Sequence, residues 1–119
     1  WEGRKLWGAL LNTSRALTRQ AITLKNIKGG QASVHKFVQL LGAFVYALKL
    51  VTASKYKPAV MMRLLAEWVQ KSKDEGSLDS IQQARFDENL DKLSDTLGGC
   101  GRIMSTPIPY SYRVILHSP

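Results

Sequence analysis

Cys100, set in Gly98-Gly99-Cys100-Gly101, is the first residue whose chemistry must be tested, because a thiolate is a potent nucleophile. A catalytic cysteine needs a base and an orienting group beside it, and the two histidines, His35 and His117, supply neither nearby in sequence. Small residues around Cys100 point instead to a helix packed closely against a neighbour. Each glycine costs a helix about 1 kcal/mol relative to alanine, so a compensating contact is expected there. Asp87, Asp91 and Asp95 recur every four residues and put three carboxylates on one helical stripe. Hard cations want several oxygens converging on one point, which carboxylates a turn apart do not provide by themselves. A solvated stripe, or one paired with the basic face of helix one through Arg15 and Arg19, is the expectation. One cysteine and two distant histidines leave no zinc-ligand spacing. Gly29-Gly30 follows no strand and precedes no Gly-Lys-Ser/Thr, so it is no phosphate loop. Trp1, Trp7 and Trp68 lie on helical segments, where packing is the expected role rather than stacking on bases. No catalytic set, metal or cofactor is expected, and an enzyme is the weakest functional class.

The elements that would position these residues are helical. Leu6, Leu10, Leu17 and Leu24 recur at spacings of four and seven, which predicts a helix from Glu2 to about Ile27, stopped by Gly29-Gly30. A second helix is expected from Gln31 to about Ser54, its apolar residues broad enough to bury most of its circumference. Tyr56-Lys57-Pro58 breaks it, and Pro58 suits the first turn of a third helix carrying Val60, Met61, Leu64, Leu65, Trp68 and Val69. Lys71 to Ser77 is the expected loop. A fourth helix follows from about Leu78 to Met104, with Phe86, Leu90, Leu93 and Leu97 spaced four, three and four apart as a seam. That seam is expected to meet the Leu6/Leu10/Leu17 stripe. Prolines at 107 and 109 make Thr106–Pro109 non-helical. The prediction is an all-α chain forming one region over residues 1–119.

The charge is +8 and lopsided. Residues 1–66 hold eleven Lys/Arg against Glu2 alone, and residues 67–119 hold six against eight acids. A basic half suits nucleic acid, an anionic membrane leaflet or small anions. The longest apolar-rich run, Val38–Val51, is fourteen residues, short of the roughly 20 needed to cross a bilayer as a helix. The chain starts at Trp1 and stops in an apolar stretch, so flanking segments are expected at both ends.

Two end segments add what periodicity does not. Trp1-Glu2-Gly3-Arg4-Lys5-Leu6-Trp7-Gly8 followed by Asn12-Thr13-Ser14-Arg15 resembles the stretch after the second membrane helix of bacterial and fungal bestrophins. Leu97-Gly98-Gly99-Cys100-Gly101-Arg102-Ile103, then Thr106-Pro107-Ile108-Pro109-Tyr110, resembles the family's Gly-x-Cys-Glu-Arg-Ile…Thr-Pro-Ile-Pro signature leading into the third. Gly101 departs from it, standing where these members usually carry Glu.

The resemblance implies a homopentamer around an axial pore for chloride or other small anions. It implies a membrane protein whose spans lie in flanking segments, this part forming a cytosol-facing vestibule. Its lower constriction would fall near Ile81 and Ala84, and Arg4, Lys5, Arg15 and Arg19 are the candidates for a positive lining. The acidic calcium clasp of the mammalian branch lies outside the stretch, so calcium gating does not carry over. The alternative is a basic helical adaptor or nucleic-acid-binding module. It explains the charge equally well but not the Thr-Pro-Ile-Pro end or the apolar second helix.

Overall fold

The computed structural model describes residues 2–49 and 57–104, with side chains described for 4–49 and 57–96. Four helices run in order: α1 Glu2–Ile22, α2 Gly30–Lys49, α3 Pro58–Asp74 and α4 Ser80–Met104. No strand occurs among the described residues. The all-α expectation holds. Each helix packs on two neighbours: α1 on α4 and α2, and α3 on α2 and α4, with little contact between α2 and α4. The helices therefore form a square, in which the α1/α2 and α3/α4 edges lie on opposite sides.

The centre of the square is aromatic. Phe37 of α2, Trp68 of α3 and Phe86 of α4 meet with ring centroids 4.3, 5.8 and 6.1 Å apart. The indole N–H of Trp68 donates to the backbone oxygen of Ser33 at 3.1 Å and to its hydroxyl at 3.0 Å. A large side chain is thus buried with its one polar group satisfied, as burial of Trp requires. On the α1 side, Leu10, Leu17 and Ala21 are buried together with Phe86, Leu90 and Leu93. The expected seam therefore forms, with Leu6 half-buried at its edge; the Leu97 side chain lies outside the described residues. Asn89 donates to Gln20 Oε1 at 2.8 Å and pins the register of α1 on α4.

Several expected boundaries move, each for a local reason. α1 ends at Ile22, five residues before the expected stop. The Thr23 hydroxyl donates to the carbonyls of Arg19 and Gln20, at 2.9 and 3.2 Å, offering the backbone a competing partner where the helix would continue. Leu24 and Ile27 still pack against the core, but from a loop. Gly29, at φ +89°, makes the turn into α2 that a side chain would strain.

The stretch expected to be a loop from Lys71 is helical through Asp74, because the stop is Gly76 at φ +79° rather than the polar run before it. Ser72 in that run is buried, and Gln70 donates to Asp74 one turn on. α4 starts at Ser80, not Leu78. Asp79 accepts the Gln82 N–H at 2.7 Å while Gln82 accepts the Asp79 N–H at 2.9 Å, a reciprocal cap on the first turn. Serine 77 ties the two loops together, its Oγ accepting the Lys28 N–H at 2.8 Å.

From Phe37 to Leu48 every residue of α2 is buried or half-buried except Gln39, Gly42 and Tyr46, which share one narrow stripe, so most of its circumference is covered there, as expected. Its expected extension to Ser54 and the non-helical Thr106–Pro109 lie outside the described residues.

Phe86→Ala should cost about 3–5 kcal/mol, since it empties a site shared by three helices. Denaturant unfolding checks this, and a loss below about 1 kcal/mol would contradict the packing described.

Candidate functional site

The residues singled out by sequence do not converge on one point. Arg4 and Lys5 are exposed at the start of α1, and Trp7 packs half-buried against the core. Trp68 is buried in it, so both described tryptophans serve packing. His35 is exposed on α2. The side chains of Trp1, Glu2, Gly3, Cys100, Arg102 and Ile103, and all of Thr106, Pro107, Ile108 and Pro109, lie outside the described residues. The backbone from 100 to 103 continues α4. Among the described residues no three His, Cys, Asp or Glu side chains gather as a metal site would require.

Ile81 and Ala84 lie three residues apart in the first turns of α4, both exposed, and Ile81 at 68% is the most exposed large apolar side chain described. They sit opposite Phe86, Leu90 and Leu93 around the helix axis. No neighbour among the described residues covers the Ile81 side chain.

The acidic stripe has a different neighbour from the one expected. Asp87 and Asp91 are exposed and line a shallow groove between α3 and α4 with Arg63 and Met62 of α3. Asp95 is exposed one turn further on. Arg15 and Arg19 lie on the far side of α1 and do not complement that stripe. The reason is rotational: α4 turns Asn89 and Leu93 toward α1 and the aspartates toward α3. Arg15 donates to Asn12 on its own helix at 3.2 Å instead.

Those two arginines flank a feature the sequence reasoning missed. Between α1 and α2 runs an open groove of about 770 Å³, lined mainly by apolar side chains including Leu11, Ile22, Val45 and Tyr46. Lys49 stands at its α2 end. Ser14 borders it, and its Oγ is buried with no hydrogen-bond partner among the described residues. The available signals were Leu11 and Ile22, apolar residues off the main α1 stripe, and the excess apolar width of α2.

With this geometry in hand, the chain can be set beside known proteins. The family model described as "Bacterial/Fungal Bestrophin protein" matches residues 1–52 and 49–118. A voltage-dependent anion channel-forming protein of Ralstonia nicotianae is 44% identical over 139 aligned positions, covering 98% of this chain and 45% of that protein. The voltage-dependent anion channel-forming protein YneE of Escherichia coli is 33% identical, with 98% and 44% covered. A crystal structure of a bacterial bestrophin homologue from Klebsiella pneumoniae superposes with a TM-score of 0.73 at 29% identity, covering 97% of this chain and 50% of that one. The chain thus spans about half the length of the relatives it matches.

One difference is internal. Of 139 aligned positions, about 117 hold residues of this chain (98% of 119), so about 22 residues of the Ralstonia protein have no counterpart here. The family model matches in two pieces that meet at residues 49–52, which puts the shortfall at the end of α2.

Ile81→Ala should leave folding stability within about 0.5 kcal/mol of the parent, because its side chain is solvated. A loss of about 2 kcal/mol or more on thermal or denaturant unfolding would show that Ile81 belongs to the core instead.

Proposed function

The chain belongs to the bacterial/fungal bestrophin family, and on that premise we propose that it forms the non-membrane, helical part of an anion channel. The observation that carries this reading is its likeness, over nearly its whole length, to proteins named for forming anion channels. Residues 1–119 act as one region of the parent protein, not as an enzyme. Flanking segments supply the membrane spans, in keeping with the finding that no described helix is long and apolar enough to cross a bilayer. Copies of the parent assemble around an axial pore, as a ring of five, for chloride or other small anions. This part faces the cytosol.

The physics of the chain suits that role. A funnel with low-dielectric walls and one sign of charge concentrates the opposite ion. Residues 1–66 carry a charge of +10, and Arg4, Lys5, Lys25, Lys28 and Lys36 are exposed on α1, on α2 and in the turn between them. Ile81 and Ala84 form the narrow point. Repeated around a ring, their exposed apolar side chains make a hydrophobic collar that passes ions only when wetted. That use accounts for an isoleucine held in water by a well-capped helix.

Planar-bilayer recordings of the parent protein test this. Arg4→Gln combined with Lys5→Gln should lower chloride conductance at low salt and much less at high salt. One charge several ångströms from an ion in water is worth only about 1 kcal/mol, and salt screens it over about 8–10 Å. Ile81→Ala should raise conductance by widening the collar. Currents unchanged in both variants would remove these residues from the permeation path, and a parent that passes no anions would end the channel reading.

A further inference from the structure

Three of the four exposed large hydrophobic residues described, Leu11, Ile22 and Tyr46, line the single groove between α1 and α2. Its charged members are Arg15, Arg19 and Lys49, with no acid among its lining residues. On the opposite side of the square, the α3/α4 edge carries Asp87 and Asp91 with Arg63, Asp95 one turn further on, and Met62 between the helices. The molecule therefore bears a basic-rimmed apolar groove on one edge and an acid-rich edge across from it. Neither satisfies the other within one chain.

We propose that the α1/α2 groove of one copy receives the α3/α4 edge of the next. The proposal deepens the ring-assembly reading given above and rests on it. A contact between two different surfaces is heterologous, the kind that generates a closed ring when the rotation between copies closes, whereas a two-fold contact would use one surface twice. The apolar floor supplies the area to be removed from water, and the flexible thioether of Met62 is suited to an irregular apolar groove. Arg15, Arg19 and Lys49 meet the aspartates at the rim, where charge sets orientation and rejects the reversed pairing.

The test uses the detergent-purified parent protein and native mass spectrometry with dilution. Arg15→Glu with Lys49→Glu should raise the concentration of half-dissociation by about tenfold or more, and so should Asp87→Lys with Asp91→Lys. All four changes together should restore the parent's assembly. Where a reversal costs the helical circular-dichroism signal, oxidation of Tyr46→Cys/Asp91→Cys in a Cys100→Ser background decides the matter. It should give a ladder of covalent oligomers, while each single cysteine gives at most a dimer. A parent that assembles while neither reversal weakens it, or that yields no ladder, overturns this surface and leaves the ring reading standing. A parent that is monomeric overturns the ring reading and the surface with it.

Discussion

The mutual contact of the Phe37, Trp68 and Phe86 rings, with the indole N–H of Trp68 held by Ser33, is the contact on which the other packing depends. Each ring comes from a different helix, so fixing one fixes three axes. The two acceptors on Ser33 remove the cost of burying the indole N–H, which unpaired would be about 1–3 kcal/mol. Once α2, α3 and α4 are joined there, α1 has one apolar surface left to cover. It takes the Phe86/Leu90/Leu93 seam and is set in register by Gln20 and Asn89.

That order of packing also decides what remains uncovered. α1 spends its main stripe on α4, so its contact with α2 is partial and leaves the apolar groove between them. α4 gives one side to α1, another to α3 and its inner face to the centre. Its outer face, with Ile81 and Ala84, is left uncovered by the described residues. Exposed apolar groups at both places follow from the bundle, and both suit the ring of copies proposed above. The shortfall of about 22 residues relative to the Ralstonia protein falls at the end of α2, outside the pairing of α1 with α4 and the aromatic centre.

Much of this was legible in the sequence, and the failures have causes. The heptad-like spacing of Leu10 and Leu17 and of Phe86, Leu90 and Leu93 marked the α1–α4 contact, because the period is a property of the helix and survives any tertiary context. Gly29-Gly30 and Pro58 marked breaks through backbone sterics alone. The ends were harder. Asp79-Ser80-Ile81-Gln82 spells a reciprocal cap that was readable, yet the apolar Leu78 drew the expected start two residues too early. The polar run from Lys71 looked like a loop because polarity was weighed above the glycine at 76. Pairing of Arg15 and Arg19 with the aspartates failed because periodicity shows that a stripe exists, not which neighbour it faces. The groove was hidden for the same reason. The family, by contrast, was legible from short end motifs, of which the side chains of the C-terminal one lie outside the described residues.

The central claim is that this helical bundle serves an anion pathway. Its most direct test is the reversal potential of the parent protein in a planar bilayer under a potassium chloride gradient. The account predicts a value close to the chloride equilibrium potential, as a positively lined path requires. A value close to the potassium equilibrium potential would contradict it.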